Sequence, residues 1–153
     1  MTTVRWIPLL MIMALVAGCM TAPSVPMASA ALDAEAKQFT PPAGKANVYV
    51  AWSNDSSART TLDISVDGKL LGPIAPGRFY LAVVDPGRHD VSARSMTSSA
   101  NVTLNADAGK NYFYQITASS GGYTAKPSLG VVLIEELGKM MVRQNQRAQG
   151  SAE

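Results

Sequence analysis

A single histidine, eleven Asp and Glu, one cysteine and a basic stretch near the C-terminus are the groups in this chain that could do chemistry. His89 has Asp85 and Asp90 nearby, but successive side chains of a strand point to opposite faces. Asp90 therefore turns away, and at most two ligands could converge where a metal needs more. No metal is expected, and His89 reads as a residue packed at a strand start with its ring hydrogen-bonded to backbone. Serine chemistry has one histidine to serve as base and no Gly-x-Ser-x-Gly elbow. The acids fall mostly in turns and at outward strand positions, which suits solvation better than a carboxylate pair. No phosphate-binding glycine loop is present. The expectation is a non-enzyme with no catalytic residues and no small-molecule cofactor.

Two groups could contact a partner. Tyr80, Tyr112, Tyr114, Tyr123 and Trp52 could stack on a glycan or peptide, although core packing accounts for most of them. Tyr123, in a Gly and Ser loop, is the one without a core assignment. Lys139, Arg143 and Arg147 fall four apart, which on one helical face could meet anionic headgroups or an acidic partner. A solvated face complementing a helix C-terminus explains the same spacing.

Cys19 is the only cysteine, so the chain can form no internal disulfide. It ends a stretch in which Arg5 precedes an apolar run from Trp6 to Ala17. At about 1.5 Å per residue the run spans about 18 Å, short of the roughly 30 Å of a bilayer core, so it reads as a cleaved signal and not as a retained transmembrane helix. Leu15-Val16-Ala17-Gly18-Cys19 resembles a bacterial lipobox. That resemblance implies a diacylglycerol thioether and an N-terminal acyl chain on Cys19, enough chains to anchor stably. Met20 stands where retained inner-membrane lipoproteins often carry Asp, which favours the outer membrane, facing the periplasm. Ordinary cleavage at Ala28-Ser29-Ala30, giving a soluble periplasmic or secreted protein, is the alternative.

The elements that must position these groups follow from periodicity. Residues 1–18 are the signal. Residues 19–38 hold few large apolar groups and are expected to be a flexible lipidated tether, about 25 Å in reach, with a short helix conceivable over 32–37. Residues 39–147 form the single domain. Val48, Val50 and Trp52 alternate with Tyr49 and Ala51 as a first strand. Leu62, Ile64 and Val66 lead to Asp67-Gly68, which suits a type I′ hairpin returning through Lys69. Gly72 to Gly77 reads as a connection, and Phe79, Leu81 and Val83 as the next strand. Asp85-Pro86-Gly87-Arg88 suits a type II turn with Gly87 at positive φ before the strand of His89, Val91 and Ala93. Val102 and Leu104, then Tyr112, Tyr114 and Ile116, continue the pattern. An apolar run over 129–134 reads as a more fully buried last strand, and 135–147 as a helix with Leu137, Met140, Met141 and Gln144 at helical spacing. Residues 148–153 are expected to be a disordered tail. The fold class is all-β: an antiparallel β-sandwich of about seven to eight strands with a C-terminal helix across an edge or open end.

Phe39 before Pro-Pro-Ala-Gly-Lys, Val48 to Val50, Val66 to Gly72, Pro76 to Tyr80, Pro86 to His89 and Ala108 to Phe113 together resemble a family of small bacterial lipoproteins of unknown function. The Pro-Gly-x-His segment is also similar to sandwich domains of the PEGA and transthyretin-like kind. The resemblance implies a sandwich and carries no catalytic residues.

Removing Arg5 from the 13 Lys and Arg leaves 12 against 11 acids, a formal +1. That is too even for nucleic acid, which selects a strong basic excess. The expected function is therefore that of a membrane-anchored envelope lipoprotein with a non-enzymatic interaction module for an envelope protein. A glycan- or peptidoglycan-binding module is the alternative, and a cell-wall hydrolase the distant one.

Overall fold

The computed structural model describes residues 24–54, 58–119 and 125–150. Among the described residues nine strands fall into two sheets with helices on one outer face. The five-stranded sheet has the order β8-β7-β1-β4-β9, from Lys126–Val131, Asn111–Ser119, Ala46–Trp52, Arg78–Val84 and Gln146–Arg147. The four-stranded sheet has the order β3-β2-β5-β6, from Lys69–Ile74, Leu62–Val66, Gly87–Arg94 and Ser99–Ala106. The chain crosses between sheets after β1, β3, β4 and β6, so neither sheet can be completed without the other. The sandwich is as expected, but its pairing is mixed. β1 runs parallel to β7 and β4 parallel to β9, while the remaining pairs are antiparallel.

β1 is buried at every position because it has apolar layers on both sides. Val48, Val50 and Trp52 enter the core between the sheets with Leu62, Ile64, Ile74, Val91, Tyr114 and Ile116. Each such fully buried side chain contributes roughly 1.5–3 kcal/mol. Tyr49 and Ala51 face the other way, into a second core with Phe39, Phe79, Phe113, Ala36 and Val142. That second core is roofed by α1, Ala30–Ala36, and α2, Glu135–Gln144. Tyr49 keeps its hydroxyl satisfied by donating to the Ala36 carbonyl at 2.8 Å, and burial pushes its pKa up to about 12. The C-terminal helix thus lies on a sheet face and not across an edge.

Several expectations are corrected. Residues 24–38 do not form a free tether over the described range. Val25 is buried in the main core, and Ala28 donates to the Arg147 carbonyl at 3.0 Å. Ser29 caps α1 through the Leu32 amide. Residues 148–150 are likewise seated: Ala148 is buried, donates to the Phe79 carbonyl and bridges to Met27. Both segments are held because each supplies what the other lacks, backbone partners along an otherwise unfinished sheet edge. Gly72 and Pro73 belong to β3 and are not a connection, with a register shift between Ile64 and Ser65 absorbing the irregularity. The strand ending at Val131 is an edge strand, exposed at Lys126, Ser128, Gly130 and Val131, because it pairs with β7 alone. Leu133 and Ile134 follow it as exposed residues. No described helix is long and apolar enough to cross a membrane.

Candidate functional site

The turns that carry the sequence-singled residues converge at one end of the sandwich. Asp67 and Gly68 adopt φ of 51° and 76°, the two positive values that a type I′ hairpin requires, so the β2–β3 turn forms as expected. Pro86 and Gly87 make no hairpin. They lie where the chain passes from β4 in one sheet to β5 in the other. Gly87 has φ 133°, well beyond the type II value, and an added Cβ would meet nothing within 4 Å. Its requirement for glycine is thus one of backbone and not of space.

His89 joins these two turns. Its Nδ1 lies 2.6 Å from Asp67 Oδ2 and its Nε2 lies 2.7 Å from the Asp85 carbonyl oxygen. Asp67 Oδ1 accepts from the Asp90 amide at 2.9 Å, and the Asp67 amide donates to the Asp90 carbonyl at 2.8 Å. The Asp85 carboxylate in turn pairs with Lys45 at 2.6 Å. Accepting from the ring holds the Asp67 carboxyl below its usual range, and the same bond raises the His89 pKa. The backbone bond expected for His89 is present. The side-chain bond to Asp67 was not visible in the sequence, because 22 residues separate the pair and only the β2–β5 register brings them together.

Beside this cluster, the outer edges of β3 and β4 leave a groove of about 310 Å³ lined by Val66, Asp67, Lys69, Tyr80, Val83 and Arg147 among others. β9 pairs with β4 only at Arg78 and Phe79. The Phe79 carbonyl accepts from Ala148 on this side, so by alternation the backbone groups of Leu81 and Val83 face the same way. Among the described residues no strand pairs with them there. The sequence held no sign of this, since an edge is a property of the sheet and not of the strand.

The remaining singled residues are scattered. Cys19 and Tyr123 lie outside the described residues, as do residues 1–18, where a signal is expected. Trp52, Tyr80 and Tyr114 are buried in the main core, so they do not assemble an aromatic platform. Lys139 is held by Glu135 at 3.0 Å and Glu136 at 3.1 Å, and the Arg143 guanidinium lies 5.2 Å from the Phe39 ring centroid. Arg147 is not on the helix. α2 ends at Gln144, and Arg147 sits in β9, where its amide donates to Asp33 Oδ1 and its guanidinium to the Leu32 carbonyl. The expected basic face of three is therefore not formed. Among the described residues no group of three or more His, Cys, Asp or Glu is placed to hold a metal.

Residues 42–130 match a family described as a protein of unknown function, DUF2846. This span runs from the approach to β1 into β8 and so contains both sheets apart from β9. An uncharacterized protein of Haemophilus influenzae is 30% identical over 132 residues, covering 86% of this chain and 77% of that protein. The match therefore extends beyond the strands to at least one of the flanking segments that pack on them. On both grounds, the chain belongs to the DUF2846 family of proteins of unknown function.

Proposed function

We propose that the protein is a bacterial envelope lipoprotein, anchored through lipid on Cys19 in the outer membrane and facing the periplasm, whose sandwich is a non-enzymatic interaction module. The observation that carries the interaction role is the unpaired outer edge of β4 over residues 81–84, open beside the groove. Such an edge is a template for an added strand, so the partner on this reading is an extended segment of another envelope protein. The lipobox-like Leu15 to Cys19 supports the anchor. The kinship with PEGA and transthyretin-like sandwiches belongs to the same proposal.

A photo-crosslinker at Val83 in intact cells should capture a stoichiometric envelope protein. Val83→Pro, which removes an outward amide while leaving the β1 pairing intact, should abolish that capture with the sandwich still folded. Undiminished capture by the Pro variant sinks the edge reading. Retention on purified peptidoglycan, lost in Tyr123→Ala, would replace it with the glycan alternative. For the anchor, Cys19→Ser should lose acyl labelling and leave the membrane fraction. Equal retention, with a mature N-terminus at Ala31, overturns it.

A further inference from the structure

We propose that His89, Asp67 and the Asp85 carbonyl form a proton-gated clasp that fastens the β2–β3 turn, one wall of the groove, to the crossing between the two sheets. The argument is one of donors and acceptors. A carbonyl oxygen only accepts, and an ionised carboxylate only accepts. With Asp85 O at 2.7 Å from Nε2 and Asp67 Oδ2 at 2.6 Å from Nδ1, both ring nitrogens must carry hydrogen. That ring is an imidazolium.

A neutral imidazole has one N–H. Its bare nitrogen would then face an oxygen lone pair at less than 3 Å, and one of the two contacts has to open. A proton on Asp67 Oδ2 would let a neutral ring accept through Nδ1 while Nε2–H donates to Asp85, so the closed clasp holds one shared proton in either arrangement. The Asp90 amide, donating to Asp67 Oδ1, favours the carboxylate and thus places that proton on the ring. The charged groups around the ring favour the closed form on balance. Asp67 faces it from the β2–β3 turn, and Asp85 from the crossing with its charge offset by Lys45. On β5 itself, Arg88 precedes the ring and Asp90 follows it, the latter engaged by the Thr103 hydroxyl of β6. The residue opposite His89 on β6 is Leu104, which brings no charge.

The ring is mostly covered, with 13% of its side chain exposed, against 49% for Asp67. Loosening the Asp67 end releases its Oδ2 from the ring, and because Asp67 and Lys69 are part of the groove wall the change reaches the groove. The sign follows from the direction of both shifts. A raised folded-state His89 pKa makes the clasp fully stabilising below the ordinary value of about 6.5 and loses that contribution as pH rises through the raised value. The lowered Asp67 adds stability above its ordinary value of about 3.9, lost as pH falls through the lowered one. The clasp is shut between the two and opens on the alkaline side at the ring.

The test is a nitrogen-15 NMR titration of the mature chain. At pH 6 both ring nitrogens should show protonated shifts, the ring midpoint should lie above about 6.5, and the Asp90 and Gly68 amides should shift with that same midpoint. Asp67→Asn keeps a residue that tolerates positive φ and should return the ring midpoint to the ordinary range. A neutral ring at pH 6, or a ring that titrates while both amides stay still, overturns the clasp.

Discussion

Gly138 lies on the buried side of α2, and an added Cβ there would sit 2.3 Å from Cγ of Phe113. Replacing Gly by Ala inside a helix ordinarily adds about 1 kcal/mol of stability. Here the ring of Phe113 is itself enclosed by Phe39 and Tyr49, with centroids at 6.1 and 5.1 Å, so it cannot retreat far. Overpacking of this kind costs about 1–3 kcal/mol, and Gly138→Ala should therefore lower the urea midpoint. A raised midpoint would mean that α2 does not rest on the sheet as described. The same glycine shows which side of the helix is covered. Leu137 and Met140, expected at helical spacing, are about half exposed while Gly138 and Val142 are buried. Close approach to an aromatic layer selects a small residue for contact, and hydrophobicity patterns do not register a glycine.

At the level of elements, the N-terminal segment and the C-terminal strand are one structural unit. Gln149 donates to the Pro26 carbonyl at 2.9 Å, Met27 bridges to Ala148, and Arg147 reaches both Asp33 and the Leu32 carbonyl of α1. Neither segment carries enough apolar surface to fold alone, which is why composition reads the first as a tether and the last as a tail. A fragment of residues 39–147 removes Val25, Ala36 and Ala148 from their cores and strands the Tyr49 hydroxyl. Lost burial and unmade hydrogen bonds together predict that it is less stable than residues 24–150 by about 3 kcal/mol or more, measurable by denaturant unfolding of the two fragments. Equal stability would show that the flanking segments only lie against the sandwich.

Over the whole molecule, β1 belongs to both cores, so the two should not unfold separately. Trp6 and Trp52 are the only tryptophans, and a fragment of residues 24–150 keeps Trp52 as a single reporter, wholly buried in the core between the sheets. Its emission should be blue-shifted, and its denaturant transition should coincide with loss of the far-ultraviolet strand signal, as all-or-none unfolding requires. Separated transitions would show that the helix-covered core melts independently. Most of the strands, the Asp67-Gly68 hairpin and the sandwich class were legible in the sequence, because each rests on local physics: period-two burial, positive φ at a turn, and chain length against core size. The end of β3, the exposed β8 and the short β9 were not. Nor was sheet order, since the placing of β1 between β7 and β4 depends on contacts tens of residues apart. From that order alone come the pairing of His89 with Asp67, the open edge of β4 and the docking of the segments 24–38 and 148–150. Each needs groups that the sequence keeps distant and that only the packed sheets bring within hydrogen-bonding reach.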